Sequence, residues 1–244
     1  MSADGSIAAA RTTAATSQWF TPPLLVEPAR RFLGGVIDLD PASCEVANRT
    51  VQARSIFTDE HEDTDGLASQ WNGHVFCNPP SPPRPWWRKL RAEIEAGRVT
   101  RAVFVGYSIE VLQQFQDDRE WLRRWHVCVP AKRVRYLTTA GDRMRTLKAR
   151  LAKAVAEFEA DNGRKIAEGV FERRAGLSVT VDVVPMPLAL TRLHLDIDDL
   201  EAMAPDALVS GDAPAHASVV LGYGDAAAGR LEWRAAFGDV GVCW

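Results

Sequence analysis

The chain has 244 residues, of which 46% are hydrophobic and 25% charged, and a formal net charge of -3. That length holds one α/β domain, or a domain with an insert, and the apolar share suffices for a sizeable core. The slight acid excess excludes a globally basic nucleic-acid binder, so any such surface is local. No apolar run approaches the ~18 residues of a membrane span. The Ala/Ser/Thr-rich start lacks the apolar stretch of a secretory signal. Four cysteines, at 44, 77, 128 and 243, show no paired metal spacing and read as reduced thiols in a cytoplasmic setting.

Residues 1–16 are small and polar and are expected to form a disordered tail. Order is expected from Ser17-Gln18-Trp19-Phe20-Thr21-Pro22-Pro23, whose prolines suit a helix start. Leu24 to Leu33 follow with a helical pattern that Gly34-Gly35 ends. Val36-Ile37-Asp38-Leu39-Asp40 reads as the first strand, running into Pro41-Ala42-Ser43. Acids at such a strand end can accept from the hydroxyls of a nucleoside. Equally, Asp40 or Ser43 can simply cap a helix through Ala47. No GxGxxG accompanies this strand, which argues against a dinucleotide dehydrogenase.

Ala53 to Phe57 suits a second strand, and Asp59 to Asp65 an acidic loop. Asp65-Gly66-Leu67 forms a turn ahead of Trp71. His74-Val75-Phe76-Cys77-Asn78-Pro79-Pro80-Ser81 is the most informative stretch. Val75 to Cys77 suit a buried strand, and the two prolines stop it because neither has a ladder N–H to donate. Asn78 is thus presented past the carboxyl end of a strand, where open α/β sheets bind ligands. Its amide oxygen and the proline carbonyls are acceptors held on a stiff corner. Two such acceptors suit a planar amino group with two hydrogens, such as an exocyclic base amine. Alone, the same residues also fit an ordinary Asn-Pro turn.

Trp86, Trp87, Leu90 and Ile94 predict a helix ending near Gly97. Arg84, Arg88, Lys89 and Arg91 make it locally basic, either for phosphate contact or as a solvated face. Arg101 to Tyr107 reads as a buried strand, Ser108 to Trp125 as a helix, and His126 to Val129 as another strand. Lys132, Arg133 and Arg135, next to Tyr136, could touch a phosphate backbone or guard a sheet edge. Residues 141–162 form a long amphipathic helix in this reading. Val179–Val184 and Leu190–Ile197 are predicted as strands, 204–214 as a loop, Ala217–Tyr223 as an apolar segment, and Leu231–Phe237 as a strand or short helix. Strands and helices alternate to about residue 129, which argues for a mostly parallel sheet. The segment 138–213 interrupts that rhythm as a late α+β insert.

Trp19-Phe20-Thr21-Pro22-Pro23, Asp38-Leu39-Asp40-Pro41-Ala42-Ser43, Asp65-Gly66-Leu67…Trp71 and Val75-Phe76-Cys77-Asn78-Pro79-Pro80 occur in that order at close spacing. Together they resemble the phage-type DNA N6-adenine methyltransferases over residues 17–137, with weaker likeness in Ala217–Gly222 and Phe237-Gly238. The resemblance implies a Rossmann-like, mostly parallel methyltransferase sheet within 17–244 that binds S-adenosylmethionine and acts on double-stranded DNA. It implies a cofactor site lined by Trp19, Thr21, Pro22, Asp38, Asp40, Pro41 and Ser43, with Asp65 near the cofactor's adenine. Asn78, Pro79 and Pro80 fall on the catalytic loop. That loop normally ends in an aromatic that stacks on the extruded base, and here Ser81 stands instead. Losing such a stack costs about tenfold to a hundredfold in binding. Trp86 or Trp87 is expected to replace it, with Arg84, Lys132, Arg133 and Arg135 contacting DNA. Two rivals remain at this stage. One is methyl transfer to another amino group, cytosine N4 or a protein amide. The other is a non-catalytic nucleic-acid-binding protein on the same scaffold. Five scattered histidines without ligand spacing give no metal site.

Overall fold

Helix α1 (Pro23–Phe32) starts where Pro22, in extended conformation, offers its carbonyl to the amides of Leu25 and Val26. It ends at Gly34 and Gly35, both at positive φ, as glycine at a helix terminus permits. These and the following elements come from a computed structural model, which describes residues 19–58, 65–162, 187–212, 216–224 and 229–244. The expected tail 1–16, residues 59–64 of the acidic loop and the predicted strand 179–184 lie outside the described residues.

Past α1 come β1 (Leu39–Asp40), α2 (Glu45–Val51), β2 (Ser55–Ile56), β3 (Gly73–Cys77), α3 (Arg84–Glu95) and β4 (Val99–Gly106). Helix α2 is capped by the Cys44 sulfur, which accepts from the Ala47 amide, and not by Asp40 or Ser43. The single helix predicted over 108–125 is broken. It consists of α4 (Val111–Gln114), a 3₁₀ turn (Gln116–Asp118) and α5 (Arg119–Leu122). The tight turn presents Asp117 to Arg84 and Asp118 to Arg91 on α3. Strand β5 (His126–Pro130) follows, and the chain closes with β8 (Val219–Tyr223), α8 (Gly229–Phe237) and β9 (Gly241–Cys243). Residues 231–237 are therefore helical, and β9 had no counterpart in the predicted elements.

The seven strands are ordered β2-β1-β3-β4-β8-β5-β9. The pairs β1–β2, β1–β3 and β3–β4 are parallel, whereas β8 is antiparallel to both β4 and β5, and β9 to β5. Five strands consequently run one way and two the other. The fold is α/β with a mostly parallel central sheet of seven strands, compatible with a Rossmann-like arrangement.

Each face of the sheet has its own core. Phe76, Val103 and Val105 join Leu25, Ala29 and Phe32 of α1 and Trp233 and Phe237 of α8. Val75, Cys77, Ala102 and Phe104 join Trp87 and Leu90 of α3 with Phe115, Trp121 and Trp125. Alternation along each strand divides its residues between the two layers. At about 25 cal/mol per Å² of apolar surface, these two layers dominate the stabilisation of the fold.

The chain divides into two compact units, one spanning Trp19–Leu137 and Ser210–Trp244 and containing this sheet. The other, over Thr138–Val209, has its own secondary structure. Helix α6 (Ala140–Asn162) packs on α7 (Leu188–Glu201), and Lys148 pairs with Glu201 at 2.6 Å. A short pair, β6 (Leu137–Thr139) and β7 (Leu208–Ser210), accompanies them. Two expectations are corrected here: 190–197 is helix, not strand, and 204–214 contains β7. Leu190, Leu193, Ile197 and Leu200 recur at helical spacing and are the inward positions of α7, while Leu195, which completed the apparent alternation, is exposed. Among the described residues no helix is long and apolar enough to cross a membrane.

Candidate functional site

Parallel pairing of β1 with β3 sets their carboxyl ends side by side. Asp40 ends β1, and Asn78 follows Cys77 at the end of β3. Strand alternation puts Asn78 on the α1 side of the sheet, like Phe76 two residues earlier. There its Nδ2 donates to Thr21 Oγ1 at 2.9 Å. Thr21 is itself buried, just ahead of α1. This bond fixes the amide so that Oδ1 faces away from Thr21 and accepts nothing from the described residues. The Pro79 carbonyl likewise has no donor among them. Consecutive residues at the end of β3 thus carry two acceptors without a donor among the described residues, Asn78 half-buried and Pro79 buried.

Asp40 is 3% exposed. Burial pushes its carboxyl from 3.8 up to about 7, partly offset by the Ala42 amide and the Ser43 hydroxyl. The Ala42 amide donates to Oδ1 at 3.2 Å and folds the Pro41–Ser43 loop back over the strand end. Cys77, fully buried close by, has its thiol raised first by burial and then by the Asp40 charge. A buried acid poised near neutrality at a strand end is a chemically distinctive group.

The Asp65 turn closes on the same loop. Asp65 Oδ1 accepts from the Leu67 amide at 2.8 Å, and its carbonyl accepts from Ala68 and Ser69. A Cβ on Gly66 would lie 1.9 Å from the Pro41 carbonyl oxygen and 2.8 Å from the Trp86 ring, so only glycine allows this approach. Trp71 donates to the Gly66 carbonyl at 2.6 Å and lies 6.3 Å from Trp86. Thr21, Asp40, Pro41, Ser43, Asp65 and Asn78 are thus gathered at one edge of the sheet.

Other candidates are placed elsewhere. Asp38 sits at the opposite end of β1. It accepts from the His74 amide at 2.9 Å and pairs with Arg54 at 2.9 Å, tying the start of β1 to its neighbours. Pro22 serves the start of α1. Trp19 is half-exposed, edge-on to Tyr136 with ring centroids 6.1 Å apart. Trp87 is buried and stacks on Phe115 at 4.3 Å, so it cannot replace the missing aromatic at Ser81. Trp86 packs on the Gly66 turn, on the Pro41 side. Arg84 is paired with Asp117 and is not held out for phosphate. Pro80 and Ser81 are exposed, as are Lys132, Arg133 and Arg135. Those three cations have no acidic partner among the described residues. Arg133 and Arg135 flank the buried Val134, and Tyr136 after them is buried too.

At the other edge of the sheet an open cavity of about 760 Å³ is lined by His74, Thr100, Arg101, Arg123, Arg124, Tyr223 and Gly224. Its arginines are engaged. Arg101 binds Glu232 and the Phe32 carbonyl, Arg123 binds Glu120, and Arg124 binds the Tyr223 hydroxyl and lies over Trp121.

Two features of the site escaped the sequence. Thr21 was visible only as a member of a motif, and its role as the partner of Asn78 depends on a contact 57 residues away. Tyr107 belonged to a run read as buried strand, yet it is 38% exposed just past β4. The glycine before it, where an apolar run ends, was the available signal. No protein-family model, curated protein or solved structure matches the chain.

Proposed function

We propose that the chain is an S-adenosylmethionine-dependent methyltransferase acting on adenine N6 in double-stranded DNA. The observation that carries this reading is the Asn78 amide, held by Thr21 at 2.9 Å with Oδ1 left to accept beside the Pro79 carbonyl. The residues gathered around Asp40 fit a nucleoside-bearing cofactor: a buried acid for hydroxyls, a tight glycine turn and an aromatic wall from Trp86. The ordered motifs that resemble the phage-type adenine methyltransferases fall on these same loops.

S-adenosylmethionine, as donor, supplies a sulfonium-bound methyl group open to in-line attack. The target adenine has to leave the duplex stack to reach the corner. Asn78 Oδ1 and the Pro79 carbonyl would then accept the two amine hydrogens, which draws the nitrogen lone pair out of the ring. As the N–C bond forms, the C–S bond breaks to leave the neutral thioether, and one amine proton leaves past these acceptors to solvent. The stiff Pro79-Pro80 corner keeps both oxygens oriented before the base arrives, so little reorganisation is needed during reaction. Lys132, Arg133 and Arg135 supply the local positive charge for the phosphate backbone that the overall balance lacks.

The test is incubation of the purified protein with S-adenosylmethionine and unmethylated double-stranded DNA, followed by mass spectrometry of the digested nucleosides. N6-methyldeoxyadenosine is the expected product. N4-methyldeoxycytidine would move the reading to the other base amine. Absence of both, with no binding of the cofactor by titration, would overturn it in favour of a non-catalytic scaffold.

A further inference from the structure

An extruded base needs a ring to lie on, and neither Ser81 nor the tryptophans of α3 provides one at Asn78. Among the described residues three aromatics are substantially exposed: Trp19, Tyr107 and Trp244. Trp244 exchanges backbone hydrogen bonds with Val127 near the amino end of β5, at the far edge of the sheet. Trp19 has its ring against Tyr136. Tyr107 has neither a ring neighbour nor a hydrogen bond among the described residues.

Its position follows from the sheet. β3 and β4 are parallel, with Cys77 level with Phe104. β3 ends at Cys77 and β4 at Gly106, so Asn78 and Tyr107 each follow the carboxyl end of one of two adjacent parallel strands. Phe76 and Val105 face the α1 layer, whereas Cys77 and Phe104 face the α3 layer. Asn78 and Tyr107 thus both lie at the carboxyl end of the sheet, at the exits of neighbouring strands. Asp40 lies on the β1 side of Asn78 and Tyr107 on the β4 side. The presented acceptors thus stand between a buried acid and an exposed phenol ring.

We infer that Tyr107 supplies the aromatic face on which the target base stacks, the role Ser81 cannot perform from the Asn-Pro-Pro loop. The inference rests on the proposed adenine methyl transfer and adds to it a substrate-stacking residue just past the neighbouring strand. It also explains why the loop tolerates a serine. With the ring coming from β4, a second aromatic at 81 would approach the same base.

The experiment compares the parent with Tyr107→Ala, Tyr107→Phe and the double variant Tyr107→Ala/Ser81→Tyr. It measures kcat/KM for unmethylated double-stranded DNA and, separately, the dissociation constant for S-adenosylmethionine. Base–aromatic stacking predicts that Tyr107→Ala loses about tenfold to a hundredfold in kcat/KM for DNA. Cofactor affinity should stay within about twofold, which also shows that the variant is folded. Tyr107→Phe, which keeps the ring, should stay close to the parent. The double variant should regain activity over Tyr107→Ala. If the parent methylates adenine and Tyr107→Ala matches it, the stacking inference alone is wrong. If the parent neither methylates DNA nor binds the cofactor, the proposed reaction fails and the inference falls with it.

Discussion

At one edge of the central sheet charges meet partners; at the other they are left waiting. On the amino edge Arg101, Arg123 and Arg124 each have a carboxylate or hydroxyl partner, and Asp38 answers both an arginine and a backbone amide. On the carboxyl edge, among the described residues, Asp40 is buried without a cation, the Asn78 oxygen has no donor, and Tyr107 has no ring neighbour. Asp38 and Asp40 are two residues apart on one strand and have opposite surroundings. The lesson is that residue type does not mark a site; unmet chemical capacity in a structured place does.

The contrast between the two acids can be broken most sharply with pH. Burial holds Asp40 at about 7, above its ordinary 3.8, so the folded protein keeps a proton that the unfolded chain releases. Stability from this group is complete below about pH 4 and is lost as pH rises to about 7, by up to about 4 kcal/mol. Asp40→Asn should therefore gain on the parent as pH rises from 4 to 7 in urea unfolding. An unchanged difference across that range would contradict the burial argument. Asp38→Ala should cost about 1–3 kcal/mol through the orphaned His74 amide. The exposed Arg54 adds little. Cofactor affinity should be untouched, and a weakened cofactor with intact stability would reverse the assignment of this acid. Thr21→Val should lower the methyl-transfer rate about tenfold by freeing the Asn78 amide to rotate, and should cost about 1–3 kcal/mol because Asn78 Nδ2 loses its partner. A rate equal to the parent would show that Thr21 does not orient Asn78.

Much of this edge was legible because punctuation is local. Proline after Asn78, glycine at 34, 35 and 66, and short apolar runs fix where strands end and loops begin. The α/β class follows from that, whereas the grouping of the Asp40, Asp65 and Asn78 loops came from the family resemblance that spans all three. What was not legible depends on partners far along the chain. Cys44 caps α2 where an oxygen acceptor from Asp40 or Ser43 was expected. Asp117 and Asp118 break a helix to reach arginines on α3. Trp87 is buried by Phe104 on β4 and by Phe115 and Trp125 in the connections after it, all distant along the chain. The apparent strand at 190–197 shares its apolar positions with a helix, and a short segment of either kind gives the same pattern.

The most direct test of the account is the single-turnover rate of methyl transfer at saturating DNA and cofactor, for the parent and Asn78→Ala. Removing a preorganised acceptor of this kind should slow the step by about a hundredfold to a thousandfold, with cofactor affinity and unfolding midpoint retained. An Asn78→Ala protein that transfers methyl groups at the parent rate would contradict it.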